Sequence, residues 1–341
     1  MRIEIAGRSI EGGAAPLAIA EIGNNHDGSL GQGLALVDAA AEAGAGAVKL
    51  QTHIAEAEML PSTPTPPHFD EPRFAFTKRM ELSEADHRRL AERARQHGLL
   101  FISSPFSVEA VELLERVDVD AYKIASGEVT NPPLLAAVAA TGKPVLLSTG
   151  MSGLDDIDRA VQILRAQGSE VCVLQCTSAY PCPPDQVDLR AMISLGRRYS
   201  CPTGLSDHTE EIFASLAAVA LGAGCVEKHF TLSRRLYGPD HKASVTPEDM
   251  ARLCRGIEQV HLAMGSDEKN RDSALDPVRA TFEKSIVTAA PLSRGATISR
   301  SALTTKRPGT GLPAAAIETL VGRRAARDID ANELLEESDL A

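Results

Sequence analysis

Eight short apolar runs recur along the first 265 residues, each followed by an amphipathic or Ala-rich stretch of helical length. This alternation constrains the fold more than any other feature. The runs are LAIAEIG (17–23), GAVKLQT (46–52), LLFISSPF (99–106), DAYKIASG (120–127), PVLLSTG (144–150), VCVLQCT (171–177), TGLSDHT (203–209) and CVEKHFT (225–231). Segments such as LGQGLALVDAAAEAGA and LDDIDRAVQILRAQG lie between them, each ending near a glycine able to stop a helix. Eight such units predict an α/β fold, a (β/α)8 TIM barrel with its active site at the C-terminal ends of the strands. An open doubly wound sheet would show fewer repeats and a Gly-rich first turn, and no G-x-G-x-x-G occurs.

Residues 1–265 are therefore read as the barrel domain. Two segments depart from the repeat. Residues 55–80, with LPSTPTPPHFDEP, are too Pro-rich for regular structure and too long for an ordinary βα loop, and are expected to form a lid or rim over the mouth. Residues 266–283 are polar and irregular and read as a linker, which fully extended could span about 60 Å. Residues 284–341 alternate short β-like runs with turns and form a small accessory domain.

With no Trp, only 4% aromatics and 43% hydrophobic residues, the core must be built from Ala, Leu, Val and Ile. A net charge of −11 and the lack of basic runs interleaved with aromatics argue against a nucleic-acid surface. No basic-then-apolar leader and no run of about 18 apolar residues is present, so a soluble, cytoplasmic protein without membrane contact is expected. The six cysteines show no C-x-x-C spacing and read as buried free thiols.

A parallel strand buried on both faces is filled by Val, Ile and Leu, so polar residues near its C-terminal end require a reason. Nearly every run carries them: Glu21, Lys49 and Gln51, Ser103 and Ser104, Lys123 and Ser126, Ser148, Ser206 and His208, Glu227 and His229. Period-two alternation puts Lys49 with Gln51, Ser206 with His208 and Glu227 with His229 on common faces. Any one of these is more often a salt-bridged structural residue. The set is different, because burying several ionisable groups together costs several kcal/mol each and such clusters persist where function requires them. Two lysines among hydroxyls suit an anionic small molecule. Glu21, Glu227, Glu128 and Asp240 supply acceptors for a hydroxyl- or amide-bearing partner such as a sugar, and candidate proton carriers. His208 and His229 close neighbouring strands. They read as a two-nitrogen site for a divalent cation, as a general-base pair, or as core histidines. Lys228, between Glu227 and His229, should face the helices.

These motifs resemble the sialic acid synthases, the phosphoenolpyruvate-dependent synthases of nonulosonic acids. The matching stretches are AEIGNNHDGS (20–29), AVKLQT (47–52), SSPFS (103–107), YKIASGE (122–128), LSTGM (147–151), LQCTSAYPCP (174–183), GLSDHT (204–209), EKHFTL (227–232), GPDH (238–241) and TTKRPGTGL (304–312). The resemblance implies a barrel followed by an antifreeze-like (SAF, β-clip type) domain in a domain-swapped homodimer. It implies that C3 of phosphoenolpyruvate attacks the aldehyde of an open-chain N-acylated hexosamine, with release of phosphate.

Carried over by position, Lys49, Ser103 or Ser104, Lys123, Ser126 and Ser206 would hold phosphoenolpyruvate, and Ser148 and Ser178 would also belong to the substrate site. Gln51, Glu128, Tyr180 and Asp240 would position the acceptor. His208 and His229 would bind the divalent cation, Mn²⁺ or alternatively Mg²⁺. Glu21 and Glu227 would move protons, and Arg307 would reach from the tail into a partner barrel. Ser178 stands where many neuraminate synthases carry Asn, while SGE and GPDH look like the neuraminate and legionaminate branches, so the motifs leave the acceptor open. A sugar-phosphate acceptor would need an extra cationic cluster; Arg73, Lys78 and Arg79 in the rim read instead as a solvated charge run. The remaining rival, a non-catalytic carbohydrate-binding tail, would need a regular Thr/Asn face on 284–341, where Arg and Glu prevail.

Overall fold

The computed structural model describes residues 2–66 and 69–341; Pro67 and His68 of the rim segment, like Met1, lie outside the described residues. The chain opens with an antiparallel hairpin, β1 (Arg2–Ile5) and β2 (Arg8–Glu11), turned at Ala6 and Gly7, both at positive φ. Eight strands follow: β3 (Leu17–Gly23), β4 (Ala47–Thr52), β5 (Leu100–Pro105), β6 (Ala121–Ile124), β7 (Val145–Ser148), β8 (Val171–Cys176), β9 (Thr203–Asp207) and β10 (Cys225–His229). They close into a parallel barrel in chain order, with β10 returning to β3. All eight apolar runs read from the sequence are these strands.

Alternation along each strand builds two cores. Outward residues such as Ile22, Val48, Phe101, Leu147 and Val226 pack under the surrounding helices. Inward residues Leu17, Ile19, Ala47, Leu100, Ile102, Leu146, Leu174 and Cys225 fill the lower barrel, where Ile3, Ile5 and Ile10 of the hairpin join them as a plug. The plug did not register in the repeat count, because four-residue strands with only one or two buried positions carry little pattern. The apolar filling stops about halfway up, and the polar residues of the upper strands occupy what remains.

The rim is more regular than its prolines suggested. Short helices, Ala55–Glu58 and Arg73–Met80, flank the Pro-rich stretch; the second starts directly after Pro72 and buries Phe76, Thr77 and Met80 on one face.

By contact density the chain divides into two units, Met1–Gly265 and Ser266–Ala341. In the second, residues 266–283 are not wholly irregular: they hold a helix at Asp276–Phe282, with Pro277 in its first turn. Strands β11 (Ser285–Thr288) and β12 (Leu303–Lys306) pair antiparallel, and single bridges such as Val287 to Leu334 and Leu292 to Ile329 tie in the rest. Ile286, Ile298 and Leu335 are fully buried at its centre.

Candidate active site

At the upper end of the barrel the inward positions change from apolar to charged within one pleat. Lys49 Nζ lies 2.8 Å from Glu21 Oε1 and 3.7 Å from Glu227 Oε1; Lys123 Nζ lies 3.5 Å from the same Glu227 oxygen. Ser206 Oγ donates to Glu227 Oε1 at 3.2 Å, Lys49 to Ser104 Oγ at 3.2 Å, and Lys123 to Ser148 Oγ at 2.7 Å. None of the four charged side chains is more than 5% exposed. Burial by itself pushes the Glu227 carboxyl up, but the Lys123 and Lys49 ammonium groups outweigh it and hold it well below the usual carboxylate range. Burial likewise opposes the charge on Lys49, and Glu21 and Glu227 reverse the direction. Glu227 and Lys49 thus keep their charges in a buried site only through their charged neighbours. Breaking such a set costs about 3–5 kcal/mol per lost partner.

The network is incomplete in a telling way. Glu21 Oε2, Glu227 Oε2, Asn24 Oδ1 and His229 Nδ1 are buried without a hydrogen-bond partner. Native proteins leave few such atoms, and four at one barrel mouth mark groups kept for a ligand. Gly23, at φ +53° where the β3 register shifts, lets three side chains converge: a Cβ there would stand 3.3–3.4 Å from Glu21 Oε1, Asp240 Oδ2 and Gln51 Nε2. The mouth encloses about 400 Å³, within the usual range for small-molecule sites.

Beside Lys123 the wall forms a small polar cradle. Gly150 N–H donates to Ser126 Oγ at 3.0 Å, Ser126 Oγ lies 3.7 Å from Cys176 Sγ, and Ser178 N–H donates to the Gly150 carbonyl at 3.3 Å. A Cβ on Gly150 would overlap Ser178 Oγ and come within 2.8 Å of Cys176 Sγ and Ser126 Oγ, so only glycine leaves this space open.

His208 and His229 face each other with ring centroids 5.5 Å apart, and Tyr180 stacks on His208 at 4.1 Å. His208 Nδ1 is 2.8 Å from the Thr177 carbonyl oxygen, to which it donates, so that in the neutral ring Nε2 carries the lone pair. Burial pushes His229 down and keeps it neutral. Two imidazoles, one oriented by a carbonyl and one with an unpartnered nitrogen, fit a cation held by two nitrogens and completed by other oxygens. Among the described residues no cluster of three or more His, Cys, Asp or Glu side chains is arranged to hold a metal.

Most residues singled out from the sequence line this mouth: Glu21, Lys49, Gln51, Ser104, Lys123, Ser126, Ser148, Ser178, Tyr180, Ser206, His208, Glu227, His229 and Asp240. Ser103 does not. The alternation turns it outward, where its hydroxyl bonds Thr52 Oγ1 at 2.7 Å and the Leu50 carbonyl at 3.2 Å, so Ser104 alone serves the cavity. Glu128 lines an adjoining cavity, with Asn131 donating to its Oε2 at 2.7 Å. Arg307 belongs to the second unit, where its Nε donates to the Phe282 carbonyl at 2.9 Å. Lys228 faces outward and pairs with Asp207 at 3.0 Å, as expected.

The geometry adds residues that spacing did not single out. Gln51 Nε2 donates to Glu21 Oε1, and Gln51 Oε1 accepts from Asn24 Nδ2 at 3.0 Å and faces His53 Nε2 at 3.1 Å. His53 Nδ1 meets both Glu58 oxygens at 2.9 and 3.0 Å, and its ring stacks on Phe106 at 4.3 Å. The H-x-x-x-x-E spacing from His53 to Glu58 was present in the sequence but straddles a strand end and a short helix. Arg73 also lines the mouth, which corrects its reading as part of a solvated charge run; Lys78 and Arg79 do spend their charges on neighbouring carboxylates.

Comparison with known proteins accords with this arrangement. Residues 36–269 match the NeuB family and residues 283–341 the SAF domain. The chain is 38% identical over 330 residues to the N,N'-diacetyllegionaminic acid synthase of Campylobacter jejuni, covering 94% of this chain and 99% of that one. It is 32% identical to the human N-acetylneuraminate-9-phosphate synthase, covering 97% and 95%. Among solved structures, the N-acetylneuraminic acid (sialic acid) synthetase of Leptospira borgpetersenii, crystallised with citrate, superposes with a TM-score of 0.73 at 32% identity, covering 82% of this chain and 95% of that one. A truncated 3-deoxy-D-arabino-heptulosonate 7-phosphate synthase from Thermotoga maritima, at 14% identity and a TM-score of 0.60, shares the fold. The chain is a member of the NeuB family, a carbon–carbon bond-forming synthase that ends in a SAF domain.

Proposed function

We propose that the protein condenses phosphoenolpyruvate with the open-chain aldehyde of an N-acylated hexosamine, giving a nonulosonic acid and phosphate. The observation that carries this reading is the buried Lys49–Glu21–Glu227–Lys123 network beside the Ser126–Gly150–Ser178 cradle. Lys49 and Lys123 would take the carboxylate and phosphate of the incoming anion, with Ser104, Ser148 and Ser206 at their sides. The cradle would hold phosphate oxygens.

A bond forms between C3 of phosphoenolpyruvate and the aldehyde carbon, whose oxygen takes a proton. Water adds at C2 with loss of a proton, and the C2–O bond to phosphate breaks. Glu21 and Glu227 would carry these protons. Lysines drawn onto the trianion neutralise the two carboxylates less, which raises their proton affinity when a proton must be taken. Gln51, Tyr180 and Asp240 would orient the acceptor, with Gln51 itself fixed by His53 and Asn24. His208 and His229 would hold a divalent cation, Mn²⁺ or alternatively Mg²⁺, which when bound supplies Lewis-acid polarisation of the aldehyde oxygen. A swapped homodimer, with Arg307 reaching a partner's barrel, and a cytoplasmic location belong to the same reading.

The test is release of labelled phosphate from phosphoenolpyruvate, with and without Mn²⁺ and with and without an N-acylated hexosamine. Release requiring all three components is expected. No release with any N-acylated hexosamine in the presence of metal would refute the proposal.

A further inference from the structure

Arg73 is half-buried on the inner side of the rim, its guanidinium 4.7 Å from the Phe69 ring centroid and 6.0 Å from that of Phe76. Its backbone N–H is spent on Thr65 Oγ1, but its side chain makes no hydrogen bond or ion pair among the described residues. Glu58 and Asp240 are the carboxylates whose charge it feels. A guanidinium taken partly out of water with five donors unspent is a costly arrangement unless something arrives to accept them.

Arg73 also lies where two cavities adjoin. It lines the barrel mouth and a second space of about 640 Å³ whose wall includes Met59, Leu60, Phe106 and Glu128. Glu128 Oε2 is taken by Asn131, while its Oε1 has no hydrogen-bond partner among the described residues. The second cavity therefore offers one strong donor set, one free carboxylate acceptor and an apolar surface. A carboxamide bearing a short alkyl group needs this combination: its C=O accepts, its N–H donates and its methyl seeks apolar contact. A phosphate is a poor fit. It would meet Glu58 and Glu128 with Arg73 as the only cation among the described residues of that wall, Lys78 being bonded to Glu56 and Glu81, and Arg79 to Asp27 and Glu71.

We propose that Arg73 is a specificity-determining residue that, with Glu128, receives a second acylamino group on the acceptor, so that the preferred substrate is an unphosphorylated hexose carrying two acylamino groups. The inference rests on the proposed condensation. The acylamino group next to the aldehyde must stay near the histidine pair, so the side cavity is left for one placed farther along the sugar.

The experiment compares kcat/KM for 2,4-diacetamido-2,4,6-trideoxymannose, N-acetylmannosamine and N-acetylmannosamine 6-phosphate, in the wild type and in Arg73→Ala and Arg73→Lys, with melting temperature and KM for phosphoenolpyruvate as controls. The wild type should prefer the diacylated sugar. Arg73→Ala should lower the diacyl-to-monoacyl ratio at least tenfold through KM of the acceptor, without changing KM for phosphoenolpyruvate. Arg73→Lys, which keeps the charge and loses the planar fork, should recover only part of the ratio. A wild-type preference for the 6-phosphate, or an unchanged ratio in folded Arg73→Ala and Arg73→Lys, overturns this inference and leaves the condensation standing. Failure of the wild type to release phosphate with any of the three overturns both.

Discussion

Gly150 offers a sharp test of the phosphate cradle, because a single methyl group decides whether the space exists. In Gly150→Ala the new Cβ would overlap Ser178 Oγ and stand 2.8 Å from both Cys176 Sγ and Ser126 Oγ, well inside ordinary contact. The two hydroxyls must swing aside, and overpacking of this kind costs about 1–3 kcal/mol of stability. Function should suffer more. Hydrogen bonds to a charged group contribute about 1.5–3 kcal/mol each, so losing those from Ser126 and Ser178 removes about 3 kcal/mol at the low end. That is about a hundredfold rise in KM for phosphoenolpyruvate, at about 1.4 kcal/mol per tenfold. Gly127 is the control, since among the described residues a Cβ there would meet only Met151 Cε at 3.5 Å. Steady-state phosphate release with varied phosphoenolpyruvate at saturating acceptor reads the effect, and thermal melting reads the fold. If Gly150→Ala stays folded with a KM for phosphoenolpyruvate within threefold of wild type, the cradle does not hold the phosphate.

Other expectations follow from the same geometry. Mn²⁺ should raise the melting temperature, a ligand at 100 times its Kd adding about 2.7 kcal/mol, and His208→Ala should abolish the rise while staying folded; a shift that persists in the variant places the metal elsewhere. Lys228 and Asp207 form a fully buried pair on the outer face, so Lys228→Met should cost about 3–5 kcal/mol in urea denaturation yet leave turnover per folded molecule unchanged. Lys49→Met, which breaks the buried charge set of the mouth, should lower both stability and turnover per folded molecule, and loss of turnover in folded Lys228→Met would contradict the division of roles.

His26 is buried, its Nε2 has no partner, and burial followed by His87 and His53 lowers it to about 3. The unfolded chain, with a histidine near 6.5, then binds more protons. Stability from the neutral imidazole is present above pH 6.5 and drains as pH falls towards 3. By pH 4.5 the loss reaches up to about 2.7 kcal/mol at about 1.36 kcal/mol per unit. His26→Asn should flatten this part of the pH–stability curve, and parallel curves for the two proteins would refute the assignment.

The barrel was legible in the sequence because each strand is buried on both faces and so declares itself as an apolar run, whatever its neighbours. That Lys49 shares a face with Gln51 and Glu227 with His229 followed from the two-residue period alone. Ser103 and Ser104 show the limit of that logic: adjacent serines point to opposite faces, and only the register of β5 decides which one enters the cavity. The rim was harder to read. Pro-rich sequence between two short helices has no period, so neither the helix carrying Arg73 nor the direction of its guanidinium could be inferred from spacing. The hairpin plug and the His53–Glu58 bridge escaped for a similar reason, since each joins segments whose own patterns are too short to read.

The sequence by itself determined the number of β/α units, the chemical inventory at their strand ends and the order in which these meet around a closed sheet, because burial and periodicity are local properties of a chain. Tertiary structure alone decided which charges neutralise which, where a glycine holds space open and which cation of the rim turns toward the barrel mouth. Those are distances between residues far apart in the chain, and no local pattern encodes them.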